Sequence, residues 1–327
     1  MLRRALVPLL ALAALTSLPA AALAGATATT PARSPARPSH RISLHVVGSW
    51  TVGRKPVGVA GHALRVVGRI APYEAGQSIE LRIWRGHTLI ERTTVHPRPT
   101  ATQRTATFSV RFVPARSGFT QIFAVYKGTA DTVVADAELS ILAPAAGPGS
   151  RGPFVALLQQ RLAAVGYATP RTGVYDPLTG LAVLAFRKVN GMARVTTLSP
   201  LVVDRLLRGV GGFRIRYPRQ GHHVEANLGW QVLALIDKGR VVRAYTTSSG
   251  KPSTPTVLGT FRFYMREPGT NSHGMVDSTY FIRGYAIHGY FDVPAYAASH
   301  GCLRVPIPDA FAIYSWIHLG DQIDVYY

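Results

Sequence analysis

From Arg41 onward the chain alternates apolar and polar positions in short runs, among them Ser78 to Trp84 (SIELRIW), Thr105 to Val113, Thr120 to Tyr126 and Thr132 to Leu142. A period of two between Gly and Pro punctuation predicts the strands of an antiparallel β-sandwich over residues 41–143. The stretch APAAGPGSRG, Ala143 to Gly152, has the composition of a linker, and 144–152 is read as one. The period then becomes helical. Pro153 to Val165 carries apolar residues at Phe154, Leu157, Leu158 and Leu162 and stops at Gly166. Asp176 followed by Pro177 opens a second helix that runs to Gly191, and Ser199-Pro200 opens a third that Gly209 ends. Tyr167, Tyr175 and Phe186 read as core of this 153–210 bundle. From Phe213 to Tyr327 short apolar runs return. Trp230 to Ile236 and Arg240 to Thr247 flank the hairpin turn Asp237-Lys238-Gly239, Thr260 to Met265 and Asp321 to Tyr327 read as strands, and one helix is expected over Pro308 to His318, closed by Gly320. The pattern gives a multidomain, mainly β protein with a three-helix bundle in the middle.

Ahead of this lies MLRR followed by the apolar run Ala5 to Ala24, the layout of a secretory signal. Ala22-Leu23-Ala24 fits the small-x-small cleavage pattern, so residues 1–24 are read as a signal peptide. Pro8, Thr16, Ser17 and Pro19 argue against an uncleaved anchor. Residues 25–40, rich in Pro, Ala and Thr, read as a disordered linker. Export changes how the charge is read. With 36 Lys plus Arg against 16 Asp plus Glu the formal net charge is +20, which in an intracellular chain would point to nucleic acid. In an exported chain anionic wall polymers or lipid headgroups are the better partners and no nucleic acid is expected. The Arg residues are scattered without a compact run, so charge alone marks no site.

Two segments resemble known modules. The rhythm of 41–143 resembles bacterial immunoglobulin-like domains. LLQQRLAAVGY (157–167) and TGVYDPLTGLAVLAFRKVNGM (172–192) resemble the type 1 peptidoglycan-binding domain, which implies a helical bundle that holds glycan or stem peptide.

The chain has one cysteine, Cys302, in SHGCLRV (299–305). A single thiol cannot form an internal disulfide, so it is either a small buried hydrophobe or a reactive group. A catalytic thiol needs a base or a positive environment. His300, two residues before it on a chain read as extended, would share its face, and His288 would reach it through folding. His288 follows the apolar stretch Tyr285-Ala286-Ile287, a rigid mount for a base. Gly301 permits an unusual turn, from which the Gly301 and Cys302 amides would face an oxyanion. His222-His223-Val224-Glu225 has the composition of a zinc site without its spacing, and no metal or other cofactor is expected. His45, His62, His87 and His96 are scattered and read as structural.

His288-Gly289, a spacer, and Ser299-His300-Gly301-Cys302-Leu303-Arg304 resemble the signature of the L,D-transpeptidase (YkuD-type) catalytic domain. Ser248-Ser249-Gly250-Lys251-Pro252, Thr254-Pro255-Thr256 and Gly259-Thr260-Phe261 resemble its upstream elements, and the likeness spans about 110 residues. The resemblance implies a β-rich domain over 213–327 in which Cys302 is the nucleophile and His288 the base. It further implies that the Gly289 carbonyl is the third member, with the Gly301 and Cys302 amides as oxyanion hole, His300 as helper, and Ser299, Tyr290 and Arg304 shaping the substrate site. It implies crosslinking of wall tetrapeptide stems through a thioester, with acylation by carbapenems. L,D-carboxypeptidase action and a non-catalytic wall-binding role are the alternatives. The ten-residue spacer between His288 and Ser299 and the extra Val257-Leu258 depart from several relatives, which bears on the loop over the site.

Overall fold

The computed structural model describes residues 39–128 and 131–327. The expected signal peptide and most of the Pro-rich segment after it lie outside the described residues. The first part contains β1 (Arg41–Val47), β2 (Trp50–Val52), β3 (Lys55–Val59), β4 (Leu64–Ala71), β5 (Ile79–Arg85), β6 (Thr88–Val95), β7 (Arg98–Pro99), β8 (Ala106–Phe112), β9 (Gly118–Lys127) and β10 (Thr132–Leu142). They form two sheets, ordered β1-β4-β8-β7 and β2-β3-β10-β9-β5-β6. Alternation decides the inner faces: Leu64, Val66 and Phe108 of one sheet meet Ile79, Leu81, Ile83 and Ile122 of the other in a single core. The expected mainly β architecture is the one observed.

Residues 144–152 form an ordered connection. Gly149 N donates to Tyr175 O at 2.9 Å, Tyr175 N to Ser150 O at 2.8 Å and Gly152 N to Gly173 O at 2.9 Å. Three helices follow, α1 (Pro153–Ala164), α2 (Pro177–Val189) and α3 (Pro200–Arg208). Their ends are where the capping residues place them. Asp176 accepts from Thr179 N and Ser199 from Val202 N, each with Pro in the first turn, and Gly209 closes α3 in the left-handed conformation at φ 71°. Tyr167, Tyr175 and Phe186 are buried in the core.

The last part comprises β11 (His223–Asn227), β12 (Val232–Asp237), β13 (Arg240–Thr246), β14 (Gly259–Arg262), β15 (Met265–Thr270), β16 (Val276–Ile282), β17 (Tyr285–Tyr290), β18 (Leu303–Pro306), α4 (Ile307–Trp316) and β19 (Gln322–Tyr326). One sheet has the order β13-β12-β11-β19-β14 and the other β15-β16-β17-β18. Their facing sides, with α4, enclose a core of Val224, Leu233, Phe263, Ile287, Leu303, Val305 and Ile313, among others. The β12–β13 hairpin turns through Lys238 and Gly239 at φ 48° and 72°, as its residues predict.

Among the boundaries that differ from the reading of the sequence, two have a clear cause. Thr260 to Met265 is not one strand, because the chain changes sheets there: Phe263 N donates to Asp321 O while Tyr264 N donates to Tyr280 O, so β14 and β15 belong to different sheets. The helix ends at Trp316, not His318, because Asp321 Oδ2 accepts the His318 N–H at 2.7 Å and turns the chain out of the helix.

Candidate active site

The site stands on the parallel pair β17 and β18, where Ile287 lies opposite Leu303 and His288 opposite Arg304. Side chains alternate along strands, so Ile287, Leu303 and Val305 point into the core while His288, Tyr290 and Arg304 share the other face. Cys302, the residue before β18, comes out on that same side. Gly289 is required here by the helix behind it. A Cβ would stand 2.7 Å from Ala310 Cβ and 3.2 Å from Ile307 Cα, so its absence lets α4 approach the strand.

Cys302 is half-buried, and it lines a cavity of about 340 Å³ together with His288, Tyr290, Ser299, His300, Arg304, His273 and Met275. His288 is 3 % exposed, and its Nδ1 lies 2.9 Å from the Gly289 carbonyl. A carbonyl can only accept, so Nδ1 carries the proton and Nε2 keeps a free lone pair. Burial lowers the His288 pKa, Arg304 lowers it further, and the Gly289 carbonyl opposes them. Burial raises the Cys302 thiol against the pull of the Ala286 amide and the Arg304 guanidinium. Both shifts favour the neutral pair, thiol and imidazole, over the ion pair at rest.

The cysteine loop is not extended, and this changes the direction of His300. Gly301 has φ 124°, and a Cβ on it would lie 1.7 Å from the Tyr285 ring. Ser299 closes the turn, donating from Oγ to Cys302 O at 2.6 Å and accepting from Gly301 N at 3.0 Å. His300 is therefore turned toward Lys251, whose Nζ lies 3.2 Å from His300 Nε2. The Gly301 amide, expected to face the oxyanion, is held by Ser299, which leaves the Cys302 amide as the donor beside the sulfur.

The upstream segment is the cradle of this loop. Lys251 N and Thr254 Oγ1 donate to Ser299 O at 2.9 and 3.1 Å, and Thr256 Oγ1 donates to Gly301 O at 2.7 Å. A Cβ on Gly250 would meet Thr254 O at 2.2 Å, so only glycine lets the two limbs of this turn come this close. Arg304 is fixed from below, its guanidinium 4.2 Å over the Tyr290 ring and 3.8 Å from Asp292 Oδ2. Tyr290 in turn stands edge-on to His288 at 5.6 Å. Tyr290 is also shared with a second, more apolar groove of about 580 Å³, walled by Pro177, Leu178 and Leu181 of the helical bundle and by Phe291, Val293 and Ile307.

Sequence reading did not single out Tyr285, Lys251, His273 or Met275 as site residues. Tyr285 was legible only as a strand residue. His273 and Met275 arrive from the β15–β16 turn, whose position over the cavity depends on a pairing that no local pattern announces. The pair His222 and Glu225 is split: His223 and Glu225 are buried, Glu225 accepting from the Arg216 and Tyr217 amides and from Tyr326 OH, while His222 faces the other way.

Comparison with known proteins bears on two parts of the chain. The family described as the L,D-transpeptidase catalytic domain (YkuD) matches residues 221–325, and the one described as a putative peptidoglycan binding domain matches residues 151–196. The crystal structure of an L,D-transpeptidase from Xylanimonas cellulosilytica is 33 % identical and covers 56 % of this chain and 100 % of its own, with a TM-score of 0.51. An L,D-transpeptidase from Stackebrandtia nassauensis is 19 % identical, covering 56 % of this chain and 95 % of its own at a TM-score of 0.36. L,D-transpeptidase 3 from Mycobacterium tuberculosis is 17 % identical, covering 32 % and 60 % at 0.29. Comparison with curated proteins gives no match.

Proposed function

Since the chain belongs to the L,D-transpeptidase family, we propose that it crosslinks peptidoglycan stem peptides through a thioester on Cys302. The observation that carries this reading is His288: buried, held neutral, and bound through Nδ1 to the Gly289 carbonyl so that Nε2 is free in the cavity it shares with the thiol.

In the proposed reaction His288 Nε2 takes the Cys302 proton as sulfur attacks the carbonyl of the third residue of a tetrapeptide stem. The negative charge on that oxygen is met by the Cys302 amide, a contribution on the order of 3 kcal/mol for one such donor. The imidazolium then protonates the departing D-alanine amine and a thioester remains. An amine from a second stem attacks it, His288 removes the amine proton, and the thiol returns to its starting form. The energy of the broken peptide bond is kept in the thioester. Arg304, which lines the cavity, and Lys251, 3.2 Å from the cavity residue His300, supply two positive charges suited to stem carboxylates. Ser299 and His300 shape the loop.

The groove beyond Tyr290 favours an amine acceptor over water, because it offers a second peptide or glycan strand a way to the thioester between the helical bundle and the β17–β18 edge. The peptidoglycan-binding domain would hold the wall beside it. Incubation of the purified protein with a disaccharide tetrapeptide should release D-alanine, and intact-mass spectrometry should find an acyl group on Cys302 and a dimer joined through the third residues. Cys302→Ala should lose release and acylation together. D-alanine release with monomer tripeptide as the sole product would make this chain an L,D-carboxypeptidase, and no release at all would leave a non-catalytic wall-binding protein. Carbapenems should acylate the same thiol.

A further inference from the structure

The alternation that buries His223 turns His222 outward, to the end of the sheet where α4 gives way to β19. There its ring is stacked on Trp316, with centroids 3.7 Å and planes 19° apart, so its direction is fixed. His222 Nε2 lies 3.2 Å from Asp321 Oδ2, and the same oxygen lies 3.4 Å from His318 Nδ1. The geometry points to a site for a divalent transition-metal cation of the zinc or nickel class, held by His222, His318 and Asp321.

A tetrahedral ion with bonds of about 2.0–2.1 Å sets neighbouring ligand atoms about 3.3 Å apart. The two edges at Asp321 match that spacing, and all the ligand atoms lie within 4.8 Å of one another. Asp237 Oδ1 stands 3.8 Å from His222 Nδ1, on the far side of the ring, where a carboxylate would face the proton that moves to Nδ1 when Nε2 ligates. Two imidazoles and one carboxylate select zinc, nickel or copper over magnesium or calcium. Without an ion, His222 Nε2 has the Trp316 carbonyl at 3.3 Å as its other partner, and Asp321 Oδ2 also accepts the His318 N–H at 2.7 Å. Both imidazoles then converge on one carboxylate oxygen.

The ion would join the turn entering β11 to the loop entering β19, the two strands that pair in parallel at the centre of the sheet. None of its ligands lines the Cys302 cavity, so the role is that of a structural clasp. The chain's one cysteine leaves it no internal disulfide to do the same.

The test uses the full chain carrying Cys302→Ala, so that the thiol cannot compete, with zinc chloride or nickel chloride as the probe. Calorimetry should find one equivalent bound, and the melting temperature should rise with metal concentration, as binding to the native state requires. His318→Ala, at an exposed ring, should keep the metal-free melting temperature, weaken binding by about 10-fold or more and shrink the metal-dependent rise at a given metal concentration. His222→Gln should weaken binding likewise. Unchanged binding in both variants, no rise in melting temperature with either metal, or an equal rise with magnesium would each overturn the site.

Discussion

At the scale of single residues the candidate site holds two histidines with different surroundings. His288 is buried and hydrogen-bonded through Nδ1, whereas His300 is exposed and engaged with Lys251. Only the neutral form of a base accepts a proton, and burial together with Arg304 lowers the His288 pKa from its ordinary value. The sign follows directly: the neutral imidazole persists to lower pH, so the acid limb of kcat/KM should have its midpoint below the ordinary histidine value of about 6.5. A midpoint at or above that value, measured on a soluble tetrapeptide, would remove His288 from the role of base. His288→Ala should cost roughly 100- to 10,000-fold in kcat, the span of general-base catalysis, and His300→Ala no more than about 10-fold. Comparable losses in the two variants would reverse the assignment. Proximity along the chain alone favours His300, whereas the strand ahead of His288 and the family signature point to His288. What separates them is the turn at Gly301, whose φ of 124° and contact with Tyr285 appear only once the two segments are folded together.

At the scale of elements, one contact between helix and strand is unusual in its chemistry. Lys188 of α2 is 3 % exposed and its Nζ reaches Thr246 Oγ1 at 2.5 Å, Gln231 O at 3.1 Å and Thr247 O at 3.2 Å. Thr247 Oγ1 donates in turn to Arg304 O, and the Gln231 side chain holds Ser249 of the cradle. Burial, with a contribution from Arg194, pushes the Lys188 pKa down to about 7 against these three oxygen acceptors. Between about pH 7 and the unfolded value near 10.4 the unfolded chain binds a proton that the native chain has released, so stability rises with pH across that window. The contribution is at most about 1.4 kcal/mol per pH unit. Urea midpoints at pH 7.5 and 9.5 should therefore converge when Lys188→Met is compared with the parent chain, and an identical pH dependence in both would show that Lys188 stays charged. Helix ends were legible because Asp176, Ser199 and the prolines after them act locally. The end of α4 was not, since it is set by Asp321 from beyond the helix, and the Lys188 contact was not, since nothing in FRKV distinguishes a buried lysine from a solvated one.

At the scale of the whole molecule the order of modules was readable from composition and period, but their packing was not. One strand records it. Along β12, Val232, Ala234 and Ile236 face the helical bundle, while Leu233 and Leu235 face the core beneath the active site. The sequence VLALI carried this as an unbroken apolar run, the mark of a strand buried on both faces, although the run does not say what lies on each side. The consequence is that the bundle and the transpeptidase domain share a core. Phe186 sits in it, fully buried and edge-on to Tyr167 at 5.6 Å, within the cluster that includes Val232 and Ala244. Phe186→Ala should cost about 3–5 kcal/mol in the full chain. At two to four degrees per kcal/mol for a body of this size, the melting temperature should fall on the order of 10 °C. The helical signal at 222 nm and D-alanine-releasing activity after heating should fall together, because the surface that β12 presents to the bundle cannot be exposed at no cost to the sheet carrying the cradle. Activity that survives at temperatures where the helical signal has gone would mean that the bundle only tethers the enzyme to the wall and contributes nothing to holding its active site.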